Sequence, residues 1–322
     1  MKKAAFKAVF IILLMIFLAG CTGRQVKTVS DDGLVINSFF PDYDEIESKR
    51  NVRLYMEVEN LGGTDATNVE AQLFGISWDN NEQKSEIISS ISAPELRRGM
   101  PGGVKTFFWN LVMPNLPQGT SNDYAIKGRV TYTYHTTATA NIPVLNEDEY
   151  QRRKLTGGTA EFITTTNTNA PIKVDITGPE PVVVRKSAFG KEDEETFLKI
   201  RFRNVGSGIP ITNDINGLIT GNIRIDGYGI AKIDCFGNYI NSGNSINIKL
   251  PVNDKEGIIL RRGEDVTEPC TIYLSRELWD AKAQGTLTLV FDLSYKYYID
   301  AVTNIRVIGI KQTTSIPLEE TI

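Results

Sequence analysis

The chain has 322 residues, 41% of them hydrophobic and 23% charged, with 35 lysines and arginines against 39 aspartates and glutamates. That length suits two ordinary domains, that composition belongs to a folded globular chain, and the dispersed, slightly acidic charge excludes a nucleic-acid-binding face. The only histidine, His135, cannot build a histidine cluster for acid–base or metal chemistry.

Lys2, Lys3 and Lys7 form a positive start, and Ala8 to Ala19 is an unbroken apolar run. Its length suits a secretory signal and is short for a membrane span; an uncleaved anchor helix is the other reading of the same residues. The run ends Leu18-Ala19-Gly20-Cys21, which resembles the lipobox of prokaryotic lipoprotein signal peptides. The resemblance makes Cys21 the lipidated residue, residues 1–20 a removed signal peptide and residues 21–33 a tether. It implies an extracytoplasmic chain held to the membrane through lipid on Cys21. Acyl chains stabilise such an anchor by about 0.8 kcal/mol per buried CH₂.

From residue 34 the pattern is β. Val52, Leu54, Met56 and Val58 alternate with charged and polar neighbours, which gives a half-buried strand. The strand stops at Asn60-Leu61-Gly62-Gly63, where glycine is expected to supply a positive φ. Further runs follow at Val69–Leu73, Thr106–Leu111 and Ile126–Tyr134. Leu54 to Phe74 resembles the CARDB-type adhesion-related domain of bacterial and archaeal surface proteins. That resemblance implies an immunoglobulin-like β-sandwich over residues 34–145, and more weakly over 170–312, and says nothing of a ligand.

Asn146 to Leu155 runs from acidic to basic, the order a helix dipole favours, so a short helix capped by Asn146 is expected in the linker 146–169. Thr164 to Asn169 reads as its polar end.

The second unit, 170–312, repeats the landmarks of the first in order. Asn204-Val205-Gly206 matches Asn60-Leu61-Gly62, Leu260-Arg261-Arg262-Gly263 matches Leu96-Arg97-Arg98-Gly99, and Tyr295-Lys296-Tyr297 matches Tyr132-Thr133-Tyr134. Leu96 to Tyr132 spans 36 residues and Leu260 to Tyr295 spans 35, whereas Asn60 to Leu96 is 36 and Asn204 to Leu260 is 56. The second copy of this internal duplication therefore carries an insertion, and Cys235 lies in it. Cys235 and Cys270 are an even remainder in an exported chain and read as one disulfide, with two buried thiols as the alternative. Residues 313–322 read as a tail.

The chain has no phosphate-binding loop, no nucleophile elbow and no His-Glu-x-x-His. The acidic runs Asp42-Tyr43-Asp44-Glu45, Asp79-Asn80-Asn81-Glu82 and Glu192-Asp193-Glu194-Glu195 lack EF-hand spacing and read as solvated loops. The two arginine pairs read as exposed turn flanks, or as contacts for an anion or acidic glycan.

The expectation is an all-β chain of two tandem immunoglobulin-like sandwiches, non-catalytic, with no cofactor, no metal site and no nucleic-acid partner. It would act as an extracytoplasmic spacer or adhesion module touching another envelope protein by edge strands or loops. The alternative is a carbohydrate-binding, calcium-assisted adhesin using Trp78, Trp109 or Trp279.

Overall fold

The computed structural model describes residues 29–78, 85–158, 161–186, 193–212, 215–241, 243–250 and 258–310. The signal region, Cys21, Asp79 to Glu82, Glu192 and the tail lie outside the described residues.

Strands β1 (Leu34–Pro41), β2 (Glu45–Glu47), β3 (Asn51–Asn60), β4 (Ala66–Phe74), β5 (Ser85–Ile91), β6 (Val104–Val112) and β7 (Ser121–Asn146) precede helix α1 (Glu147–Thr156). Then come β8 (Thr164–Asn167), β9 (Ile172–Thr177), β10 (Val182–Val184), β11 (Glu194–Asn204), β12 (Ile209–Thr212) and β13 (Ile215–Asn216). The chain continues through β14 (Thr220–Asp226), β15 (Ile230–Cys235), β16 (Asn238–Asn241), β17 (Ser245–Leu250) and β18 (Asp265–Leu274). A short helix α2 (Arg276–Asp280) leads into β19 (Gln284–Ile308).

The molecule is all-β, and antiparallel sheets pack as sandwiches. The alternation seen in sequence sets the faces: Val52, Leu54, Met56 and Val58 of β3 are buried, as are Leu198, Ile200 and Phe202 of β11. Asn146 caps α1 by accepting from the Glu149 amide at 2.9 Å, and Gly157 closes it in the left-handed region. Thr164 to Asn167, read from sequence as linker, pairs with β7 as strand β8.

Two strands organise everything else. β7 and β19 pair antiparallel without a break from Ser121↔Ile308 to Leu145↔Gln284. This ribbon is far longer than an ordinary strand pair, which runs about five or six residues. Its two ends lie in different sandwiches. The first sandwich faces β1-β3-β6 against a sheet built from β5, β4, the early part of β7, the late part of β19 and β2. The second faces β16-β15-β18-β11-β9 against β8 and β10, the late part of β7, the early part of β19, β14 and β17. Neither sandwich is therefore a contiguous stretch of chain: each receives half a strand from the other's sequence unit. One hydrophobic cluster runs through both, from Leu34 to Val307.

At the middle of the ribbon Tyr132 and Tyr134 face Tyr297 and Tyr295, and all four side chains are buried. Rings Tyr132 and Tyr297 lie 5.8 Å apart, and Tyr132 and Tyr134 meet edge-on at 5.7 Å. Every hydroxyl has a partner, and those of Tyr134 and Tyr297 are satisfied in the same way in both copies. Tyr134 donates to Asn60 Oδ1 at 3.5 Å, and Tyr297 donates to Asn204 Oδ1 at 2.8 Å. Each accepts an amide four residues past its asparagine, from Thr64 and Gly208 respectively. The Asn60 amide donates to the Thr64 and Ile91 carbonyls, and that of Asn204 to the Gly208 and Arg261 carbonyls. Tyr132 accepts from the Leu34 amide, and Tyr295 bonds Thr136 Oγ1 at 2.7 Å. Burial pushes the Tyr295 and Tyr297 hydroxyls well above the ordinary phenol range.

This node corrects the reading of the Asn-x-Gly turns. Gly62 and Gly206 are not among the positive-φ glycines. They are glycine because a Cβ would lie 2.0 Å from the Tyr134 hydroxyl and 2.6 Å from that of Tyr297. Positive φ belongs instead to Gly99 and Gly263, which end the Leu-Arg-Arg turns at 63° and 69°.

The sequence insertion supplies the hairpin β15–β16, which lies beside β18, and Cys235 is bonded to Cys270 directly across that pair. Closing a loop of 35 residues stabilises by about 3–4 kcal/mol in the chain-entropy account.

Gly62→Ala and Gly206→Ala should each destabilise by about 1–3 kcal/mol through overpacking against the tyrosine hydroxyl. Urea unfolding reads this, and Gly243→Ala, whose φ is not positive and whose Cβ would meet nothing closer than 3.5 Å, should cost less than Gly206→Ala.

Candidate functional site

Two of the three tryptophans considered as a binding platform lie in the core, and the third, Trp78, is half-buried. Trp279 and Trp109 are 1% and 5% exposed. Trp279 donates to the Tyr228 carbonyl, and Trp78 packs on Tyr124 and donates to the Val112 carbonyl at 3.2 Å. The indole nitrogen of Trp109 has no acceptor among the described residues. A large aromatic is as readily core as platform, and residue type alone does not separate the two.

His135 stands exposed on the outer face of the ribbon opposite Ser294. Arg98 pairs with Glu95, and Arg97 lines an open depression of about 500 Å³ with Val29 and Asn167 to Asn169. Both arginine pairs are exposed, and only the leucine before them differs: Leu260 is buried and Leu96 is 62% exposed. Of the acidic runs, Asp42 accepts from the Arg53 amide. Glu194 is buried between Arg185 and Arg276. Among the described residues no three His, Cys, Asp or Glu side chains gather in a way that would hold a metal ion.

What the structure does assemble is an apolar surface on the outer face of β1-β3-β6. The inward residues of β6, Phe107, Trp109 and Leu111, go to the core, so Val104, Thr106, Phe108, Asn110 and Val112 face solvent. Phe40, Tyr55 and Phe108 occupy facing positions on the three strands and form one row across the sheet. Phe40 and Tyr55 stack at 5.6 Å with 23° between their planes. Phe40 is 49% exposed, Phe108 56%, Val104 54% and Val112 52%. Arg53 donates to Asn110 Oδ1 beside the row. Isolated exposed apolar residues are ordinary, but a contiguous row marks an interaction surface. Its sequence signal is the doubled aromatic Phe107-Phe108, in which one ring must face outward on any strand.

This arrangement defines the class: an all-β double sandwich on one shared ribbon, with an aromatic strip on one outer sheet. No known protein family matches the chain, and no curated protein matches it. Solved structures with partial similarity include a red sea bream transglutaminase, at 13% identity over 85% of this chain and 31% of that one, with a TM-score of 0.21. The C-terminal globular domain of an oligosaccharyltransferase from Pyrococcus abyssi matches at 12% identity over 82% of this chain and 45% of that one, TM-score 0.23. The collagen adhesin of S. aureus matches at 10% identity over 89% and 96%, TM-score 0.12. The chain thus spans less than half the length of the first two. Scores this low carry no argument about function.

Phe40→Ser and Phe108→Ser should each change the unfolding free energy by less than about 1 kcal/mol, the range of surface substitutions. Urea unfolding checks it; a larger loss would mean that the strip serves the fold.

Proposed function

We propose that this chain is a non-catalytic, lipid-anchored envelope protein whose double sandwich presents the β1-β3-β6 face to another extracytoplasmic protein. The observation that carries the reading is the solvent-facing row Phe40–Tyr55–Phe108, its two ends exposed and Tyr55 half-buried, on a body built on one ribbon and one core. The lipobox resemblance at Leu18 to Cys21 and the CARDB-type resemblance at Leu54 to Phe74 support its location and class. The described chain enters at the waist between the sandwiches, where Ser30 bonds Leu61 and Asp31 pairs with Lys173. A tether from Cys21 would therefore leave from the middle of the long body.

A second reading, a carbohydrate-binding adhesin, is favoured by the stacked pair of exposed Phe40 and half-buried Tyr55, since aromatic faces also suit sugar rings. It would use these rings in place of the buried Trp109 and Trp279.

Expressed in a prokaryotic host, the wild-type chain should take up labelled palmitate and Cys21→Ser should not; an unlabelled wild type would remove the lipid anchor. A glycan array with and without EDTA separates the two readings. Binding lost in Phe40→Ser favours the carbohydrate reading, and silence on every glycan favours a protein partner.

A further inference from the structure

The two sandwiches treat one equivalent edge differently. β18 pairs with β11 as β6 pairs with β3, and both pairs close beside the node asparagine, where Asn204 bonds Glu264 and Asn60 bonds Gly103. Counting outward from those bonds, Pro269 takes the place of Phe108 and Cys270 that of Trp109. In the second sandwich the far edge of β18 is covered. β15 pairs along it over Cys270 to Leu274, the disulfide pins the two strands, and Pro269 removes a donor just beyond. Covering strands and edge prolines are the devices that keep a sheet edge from pairing with another chain.

In the first sandwich, among the described residues, no strand pairs with the far edge of β6. The ladder with β3 fixes which backbone groups point there. Met113 donates to the Arg50 carbonyl and Gly103 accepts from the Asn60 amide, so odd residues of β6 point at β3 and even ones away from it. The edge is bounded at both ends, because Gly103 donates to Ser92 and Val112 accepts from Trp78. Between them Thr106 and Phe108 turn their amides and carbonyls to the open side. The exposed side chains of this strand, Val104, Thr106, Phe108, Asn110 and Val112, carry no charge. Lys105 is paired with Glu86.

We propose that this edge is filled by β6 of a second copy of this chain, in an antiparallel pair in which the Thr106–Phe108 segments face each other. The segment is self-complementary: threonine, β-branched and aromatic neighbours are favourable cross-strand partners, and no like charges meet. The pair is isologous, with its two-fold axis normal to the sheet. Each aromatic row then meets its copy's through Phe108 at the shared edge, and the outer face of both rows stays open. The same axis puts Val29 of both copies at one height, so both tethers reach one membrane. This goes beyond the proposed reading of the strip as a protein-contact face: the second copy fills the edge beside the strip and leaves the face to that partner. A single strand pair is a small interface, so the association in solution is weak and grows with concentration.

The experiment uses a chain lacking residues 1–21, which removes none of the described contacts. Sedimentation equilibrium should show monomer and dimer exchanging with concentration. Thr106→Cys should yield a covalent dimer with a short bis-maleimide. Phe108→Pro copies the Pro269 device and removes a donor that points away from β3, so it should stay folded by circular dichroism and weaken the dimer at least about tenfold, the scale of a lost ladder contact. Thr106→Lys should weaken it similarly, and serves if Phe108→Pro does not fold. A wild type that stays monomeric at every concentration and does not cross-link overturns the proposal, as does a dimer untouched by both variants. A monomer that binds another envelope protein or a glycan, and loses it in Thr106→Lys, overturns the second copy alone. Binding untouched by Thr106→Lys and by Phe40→Ser removes the reading of the strip as well.

Discussion

The rest of the structure depends on the unbroken antiparallel pairing of β7 with β19. A strand pair of ordinary length buries side chains in one core; this one runs through two. Because even residues of β7 and odd residues of β19 face inward along the whole ribbon, a single sheet face is shared by both sandwiches. A register slip of one residue would turn out both cores at once. The tyrosine quartet at the centre holds that register, since Tyr132, Tyr134 and Tyr297 reach backbone or asparagine groups of their own copy and Tyr295 reaches Thr136 of the other.

The duplication is therefore functional as geometry and not only as history. Asn60 with Tyr134, and Asn204 with Tyr297, are the same construction built twice and placed about a pseudo-twofold at the ribbon's middle. Buried asparagine is costly unless satisfied, and each of these gives both amide hydrogens to carbonyls and accepts a phenol. That arrangement makes the turn after each node glycine a matter of space for an oxygen and not of backbone handedness. Where the copies differ, they differ at one sheet edge: a disulfide-pinned hairpin closes it in the second sandwich, and Trp109 fills the core position of Cys270 in the first.

Much of this was legible in the sequence, for physical reasons. Alternation at Val52 to Val58 and at Leu198 to Phe202 set the strands and their faces. The repeated Asn-x-Gly, Leu-Arg-Arg-Gly and Tyr-x-Tyr landmarks marked the duplication, because each holds a backbone or a hydroxyl where another side chain would not fit. The cysteine pair was readable from parity, and the start of the helix from Asn146. The exchange of half-strands was not, because periodicity reports which face is buried and never which partner buries it. Nor was the aromatic strip: Trp109 and Phe108 are neighbours in sequence, and only the packing shows that the larger ring goes inside.

The most direct measurement of the shared ribbon is to express residues 22–158 and 159–322 as separate chains. If each sandwich needs the half-strand supplied by the other, neither chain alone will unfold cooperatively in urea, and mixing them will restore β circular dichroism and a single cooperative transition. A separate chain that folds as a monomer with its own sharp transition would contradict the account.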